Sequence, residues 1–429
     1  MNPIAKELNT VLKGTVVETL LSNYGKRFYF PKGIVSQSGE AKKKATLYNA
    51  TIGMATKGGV PMSLASVRDQ LPGLAEGEIF PYAPTPGVPD LRELWRKEMV
   101  EKNPALKGKL TSLPLVTTGL THGLSVLADM FLDKGDSVIV PDMYWGNYNL
   151  IFEGRIESKI VSFPFFNDQG GLNVEALKNT ISNLPGDKVV LVLNFPNNPT
   201  GYSPSKTEAK ELIAVLAAFA EAGKKIMAVC DDAYFGLFYE EDTRKESLFS
   251  DLADIHENLL AVKIDGATKE NFVWGFRVGF VTFASKGLTK AQLEALNTKT
   301  AGSIRASISN SSKLAQSILQ KSLASDSYKQ EKDDAFKILE ERYLKVKEMI
   351  SGYAADSPLK ALPFNSGYFM TFTYEGNAET LRLHLLDKYG IGTISIKEKY
   401  LRIAFSSVEQ EHLEDLYKLL DQAAREVLK

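Results

Sequence analysis

The chain has 429 residues, with 51 Lys and Arg against 52 Asp and Glu and a single cysteine. A net charge of −1 with both signs interspersed offers no basic field for a nucleic acid. No apolar run approaches the roughly 20 residues of a membrane helix, residues 1–25 lack a signal-peptide core, and Cys230 alone closes no internal disulfide, so a reducing cytoplasm is expected.

In chain order, residues 1–25 mix charges with an amphipathic pattern, and Lys42-Lys-Lys44 reads as a solvated loop ahead of the segment from Tyr48 to Gly53. Between about 115 and 285 short apolar runs alternate with helical patterns. A short strand is expected at 114–118 and buried ones at 136–141, 188–194, 226–231 and 259–264. The latter runs are almost continuous in β-branched residues and Leu, which a strand needs when both its faces are covered. Residues 205–222 predict a helix, because Leu212, Val215, Leu216 and Phe219 recur at helical spacing between Pro204-Ser205 and Gly223. Such alternation predicts an α/β domain on a mainly parallel, doubly wound sheet.

Residues 286–352 carry long helical periodicity, with Phe336, Leu339, Tyr343, Val346 and Ile350 on one face. Strands at 369–374 and 400–405 and helices at 378–389 and 409–427 are expected after it. The expected organisation is a large domain over 60–325 and a smaller, discontinuous α+β domain over 1–59 and 326–429.

In an open α/β sheet ligands bind beyond the carboxyl ends of the strands. The first of these ends opens into Gly119-Leu-Thr-His-Gly123, where backbone N–H groups and a helix N-terminus could face a phosphate, although such turns also occur without one. Met143-Tyr-Trp-Gly-Asn-Tyr148 places an aromatic cluster where a turn would suffice, and packing alone would account for it equally. Asn194-Phe-Pro-Asn-Asn-Pro-Thr-Gly201 fixes a turn that aims Asn198 inward. Asp231-Asp-Ala-Tyr234 ends a strand on two acids, which need a cationic partner when buried. Lys269, eight positions before Arg277, is either a surface charge or a desolvated amine of lowered pKa.

Taken in order, Gly-x-Thr, Tyr-Trp, Asn-Pro-Thr-Gly, Asp-x-x-Tyr, Lys and Arg resemble the fold-type I pyridoxal-phosphate aminotransferases of class I/II, and among them the aspartate and aromatic aminotransferases. The resemblance runs from Tyr82-Ala-Pro-Thr-Pro-Gly87 to Tyr400-Leu-Arg402. It implies an enzyme that moves the amino group of an L-amino acid, acidic or aromatic by preference, to a 2-oxo acid such as 2-oxoglutarate. Lys269 would form an imine with pyridoxal 5'-phosphate and carry the proton between the substrate α-carbon and the cofactor. Asp231 would keep the pyridine nitrogen protonated, so that the ring acts as an electron sink. Asn198 and Tyr234 would hydrogen-bond the ring's 3-oxygen, and Trp145 would stack on the ring. Gly119, Leu120, Thr121, Thr268 and Arg277 would hold the phosphate.

Tyr82 would reach the phosphate of a neighbouring subunit, which implies a homodimer with shared active sites. Arg402 would take the substrate's α-carboxylate, with Asn198 and the Ile52-Gly53 segment beside it and Asn365-Ser-Gly-Tyr-Phe369 facing it. Ile304-Arg-Ala-Ser-Ile-Ser-Asn resembles a family segment whose arginine reads a distal carboxylate across the dimer, so Arg305 would have that role.

The chain departs from the family pattern in places. Met143 stands for a usual Pro, Ile308 for a Tyr, Ser311-Ser312 for two prolines, Phe276 for a Trp, and Gly266 for a phosphate-binding Ser. Glu270 puts an unexplained charge beside Lys269. The four histidines, His122, His256, His384 and His412, have no metal spacing, and no metal is expected. A C–S lyase, a decarboxylase or a cyclising lyase would use the same cofactor residues. A non-catalytic amino-acid sensor is the remaining class, against which the intact Lys269 and Asp231 weigh.

Overall fold

A computed structural model of the chain describes residues 1–11, 13, 21, 23, 26, 34–51 and 53–428; Ile52, expected beside the substrate, lies outside them. Seven strands build the main sheet: β1 (Leu115–Thr117), β2 (Ser137–Pro141), β3 (Lys159–Phe163), β4 (Lys188–Asn194), β5 (Lys225–Asp231), β6 (Leu259–Gly266) and β7 (Gly279–Ala284). Their spatial order is β1-β7-β6-β5-β4-β2-β3. Neighbours are parallel except at β7, which runs antiparallel to both β1 and β6.

The apolar runs have the reason expected of them. Val190 and Val192 of β4 and Val229 of β5 join one core, while Leu191, Leu193, Ala228 and Cys230 join another across the sheet. Successive residues of a strand point to opposite faces, so a doubly covered strand favours apolar side chains at both sets of positions. Cys230 is one of these packing residues. The helix Lys206–Glu221 covers one face and starts on Ser205, whose side chain accepts from the Glu208 N–H in a capping box.

A second, antiparallel sheet comprises β8 (Leu359–Ala361), β9 (Met370–Tyr374), β10 (Ile394–Ile396) and β11 (Tyr400–Ile403), in the order β8-β9-β11-β10. The helices Ala378–Tyr389, Gln410–Leu428 and Tyr328–Ser351 pack about it, the last through Leu339, Tyr343 and Val346. Tyr48–Asn49 pairs in parallel with Ile391–Gly392, a separate two-stranded pair that ties the early part of the chain to the segment just before β10.

Four of these strands were not expected, β8 and β10 of the second sheet and β3 and β7 of the main one. β3 lies at the sheet edge, and its mixed exposure hides the apolar signal, while β7 is a short Gly-Phe-Val-Thr-Phe-Ala run directly after Arg277. Lys42, Lys43 and Lys44 form no loop; they end the helix Ile34–Lys44, where positive charge suits the negative end of the helix dipole. Lys44 pairs there with Asp387 at 2.8 Å.

Candidate active site

Every parallel strand delivers its carboxyl end to one edge of the main sheet. Because β7 is antiparallel, its amino end reaches the same edge, and Arg277 just before it joins residues that follow β1, β2, β4, β5 and β6. Leu120, Thr121, Trp145, Asn198, Asp231, Tyr234, Thr268, Lys269 and Arg277 all line one cavity of about 250 Å³. Gly119 opens the helix Gly119–Phe131 with φ +74°, and a Cβ there would lie 2.3 Å from Arg277 Nη2. Only glycine allows that left-handed turn and the approach of the guanidinium together.

The loop after β4 is held by its own amides. Asn194 donates to the Asp231 carbonyl at 2.8 Å and accepts from the Asn198 N–H at 2.9 Å. Asn197 accepts from the Thr200 N–H at 3.0 Å and from its hydroxyl at 2.8 Å, and donates to the Met143 carbonyl at 3.2 Å. Asn198 is thereby set between Tyr234, to which it hydrogen-bonds, and Arg402, whose Nη1 donates to it at 2.9 Å.

Charge in the cavity is governed by burial. Lys269, on the short helix Ala267–Glu270, lies with Nζ 5.0 Å from the centre of the Tyr234 ring. Burial lowers its pKa to about 8, against the pull of Asp231 and with help from Arg277. Burial also raises the Asp231 pKa and pushes the Tyr234 phenol up. The Tyr148 hydroxyl opposes the first of these shifts, donating to Asp231 Oδ2 at 2.6 Å. Tyr148 packs edge-on to Trp145, with ring centres 5.7 Å apart. The sequence singled out its aromatic cluster but not this residue.

Glu270 is not free beside Lys269. It turns to Lys102 at 2.6 Å and Lys332 at 3.0 Å, which hold its pKa at about 2 although burial would raise it. Gly266, in the place of the family's serine, has no room for one: a Cβ would lie 2.7 Å from the Val278 carbonyl and 2.8 Å from Gly279 Cα.

Arg402 is only 2% exposed, yet among the described residues it has no carboxylate partner. Its Nη2 donates to the Thr51 carbonyl at 2.9 Å, its guanidinium lies 4.3 Å from the centre of the Phe369 ring, and its Nε has no partner. Burial lowers its pKa to about 10. A buried cation without an anion is costly, and Arg402 stands beside Asn198 at the cavity wall. Gly53 is close by, with Phe369 Cζ and the Tyr234 hydroxyl within 3.4 Å of where a Cβ would be. Tyr368 donates to the Lys269 carbonyl at 3.2 Å.

Two expected residues are not brought to the cavity within the chain. Tyr82 is 89% exposed, and Arg305 is exposed near the end of the helix Lys290–Ile308, donating to Ser309 at 3.1 Å. His122 accepts from the Thr118 N–H at 3.1 Å through Nδ1, and its Nε2 lies 3.0 Å from the Ser307 hydroxyl. Among the described residues no cluster of His, Cys, Asp and Glu is arranged to hold a metal, and no helix is long and apolar enough to cross a membrane.

Residues 55–420 match the family of aminotransferases of class I and II. The chain belongs to that family. An aromatic amino acid aminotransferase of Dictyostelium discoideum is 26% identical over 378 residues, covering 81% of this chain and 74% of that protein. An aspartate/prephenate aminotransferase of Thermus thermophilus is 32% identical over 213 residues, 48% of this chain and 49% of that protein. A solved aminotransferase from Anaerococcus prevotii superposes with a TM-score of 0.83 at 26% identity, over 96% of this chain and all of that one.

Aminotransferases of this class work with pyridoxal 5'-phosphate, and the cavity's open polar atoms fit it. Buried Asp231 Oδ1, an acceptor, and Thr268 Oγ1, a donor, have no hydrogen-bond partner. The first suits a protonated ring nitrogen; the second, with Arg277 and the helix starting at Gly119, suits a phosphate.

Proposed function

We propose that this aminotransferase takes acidic or aromatic L-amino acids as donors and a 2-oxo acid such as 2-oxoglutarate as acceptor. The observation that carries it is Arg402, a buried guanidinium with no carboxylate of the chain to balance it, next to the cavity that holds Lys269. A substrate α-carboxylate supplies the missing anion in bidentate form. The names of the Dictyostelium and Thermus relatives support the two donor classes.

Pyridoxal phosphate, when bound, supplies a carbonyl carbon for the amine and a ring that takes up the electron pair released at the α-carbon. Thr121, Thr268, Arg277 and the backbone at Gly119 and Leu120 hold its phosphate, while Trp145, Asn198, Tyr234 and Asp231 hold its ring. Lys269, with a pKa near 8, is poised to take the proton from the substrate α-carbon and return it elsewhere. Arg402 fixes the carboxylate, so the α-carbon hydrogen stays within reach of that amine. Residues 60–325 form the cofactor domain, and residues 1–59 with 326–429 form the domain that closes over the substrate. Exposed Tyr82 reaches the phosphate of a second copy of the chain, so that a homodimer shares its sites. The buried, unpaired Cys230 suits a cytoplasmic setting.

The test is a panel of amino donors against 2-oxoglutarate, followed by the visible absorption of the bound cofactor. Glutamate, aspartate or an aromatic amino acid is expected to change that band, and an oxo acid to restore it. Lys269→Ala is expected to abolish turnover. Retained turnover in that variant overturns the mechanism, and pyruvate released from cysteine conjugates, with no response to the donors, replaces it by a lyase.

A further inference from the structure

Beside the cofactor cavity, sharing Trp145 and Asn198 with it, lies a larger cleft of about 960 Å³. Of its described lining residues only Arg382 and Lys397 are cationic. Arg382 is already neutralised, bonding Glu379 through two nitrogens at 2.9 and 2.6 Å and Glu40 at 3.0 Å. Lys397 has no carboxylate partner among the described residues. Its Nζ donates to the backbone carbonyl of Asp142 at 2.9 Å and lies 5.6 Å from the centre of the Tyr144 ring. The neighbouring Glu398 is bonded instead by Asn377, at 3.1 Å.

A lysine ammonium has three donors, so one carbonyl leaves two of them open. A carboxylate is also a stronger acceptor for an ammonium than a neutral carbonyl is. Lys397 is exposed on the turn between β10 and β11, with φ +50°, and Glu398 follows with φ +54°. The hairpin register sets Ile394 opposite Arg402. Lys397 is therefore three strand steps beyond that pair, about 10 Å along the hairpin from the Arg402 backbone at ~3.4 Å per residue. Arg402 donates to Asn198, and Asn198 and Lys397 line the same cleft, so a short diacid seated on Arg402 extends towards Lys397.

We propose that Lys397 binds the distal carboxylate of a dicarboxylic substrate, 2-oxoglutarate as acceptor and glutamate as its amino form, and so sets the acceptor class of the site. The inference rests on the reading of Arg402 as the α-carboxylate seat. It places the distal reader within the chain itself, whereas Arg305 is exposed and donates to Ser309 on its own helix end. The rest of the cleft, with Tyr144, Trp145 and Ile396 in its walls, is left for an uncharged aromatic side chain of the donor.

The experiment uses the holoenzyme and two acids of equal carbon number, glutarate and pentanoate, whose binding is read by calorimetry and by the cofactor's visible band. The wild type is expected to bind glutarate about tenfold tighter or more, and Lys397→Met to reduce that preference to about twofold. The ratio of kcat/KM for 2-oxoglutarate over phenylpyruvate is expected to fall about tenfold in the same variant, and Lys397→Arg to restore most of it. An unchanged preference in Lys397→Met overturns the inference. So does its loss in Arg305→Met in place of Lys397→Met, which would assign the distal carboxylate to Arg305. If glutarate preference responds to Lys397 as expected while no donor and acceptor pair transaminates, the inference stands and the proposed function fails.

Discussion

Tyr148→Phe removes one hydroxyl and leaves the ring that packs against Trp145 in place. That hydroxyl donates to Asp231 Oδ2 at 2.6 Å, inside the core, while Oδ1 has no partner. A hydrogen bond to a charged group contributes about 1.5–3 kcal/mol. Losing it should therefore raise the Asp231 pKa further, on top of the rise burial already causes. The sign for stability follows from that rise. A carboxyl whose folded pKa lies above its unfolded value costs stability when ionised, and the cost is relieved as pH falls through the folded pKa. Cofactor-free Tyr148→Phe should thus lose about 1.5–3 kcal/mol at neutral pH and less in acid, where Asp231 is protonated in both proteins. In the holoenzyme the acid limb of kcat/KM against pH should move to higher pH, because in the proposed function the ionised Asp231 would keep the ring nitrogen protonated. Both profiles are measurable on the same preparation. An unmoved acid limb together with unchanged stability would refute the dependence of Asp231 on Tyr148.

Glu270→Gln should leave Lys102 and Lys332 facing a neutral amide and cost about 3–5 kcal/mol in denaturant unfolding. Because Lys102 and Lys332 hold the Glu270 pKa at about 2 against burial, the ion pairs' contribution is complete above the ordinary carboxylate value of 4.5. It is lost as pH falls from there towards 2, so the gap between wild type and variant should narrow in that window; a constant gap would contradict this account. Gly266→Ser should push β6 away from β7 at the Val278 carbonyl and Gly279, at a cost of about 1–3 kcal/mol, and weaken cofactor retention on gel filtration. Tighter retention would mean that the added hydroxyl reaches the phosphate and that the backbone yields.

Local pattern alone determined the strands at β2, β4, β5 and β6, because burial on both faces selects a short run rich in Val, Ile and Leu. It also placed Asn198, Asp231, Tyr234 and Lys269 beyond strand ends, since rare polar residues stand out against such runs. The pairings between distant parts of the chain were another matter. Tyr148 and Asp231 are 83 residues apart, Glu270 finds its lysines 168 and 62 residues away, and Lys397 reaches a carbonyl at a separation of 255. The order of strands across the sheet decides these partners, and that order depends on how the whole core closes. The antiparallel course of β7 belongs with them: its residues carry no mark of direction, and only its place between β1 and β6 brings Arg277 to Gly119. Burial can be read from the types of residue in a segment, but a specific contact needs the position of two segments, which only the folded chain supplies.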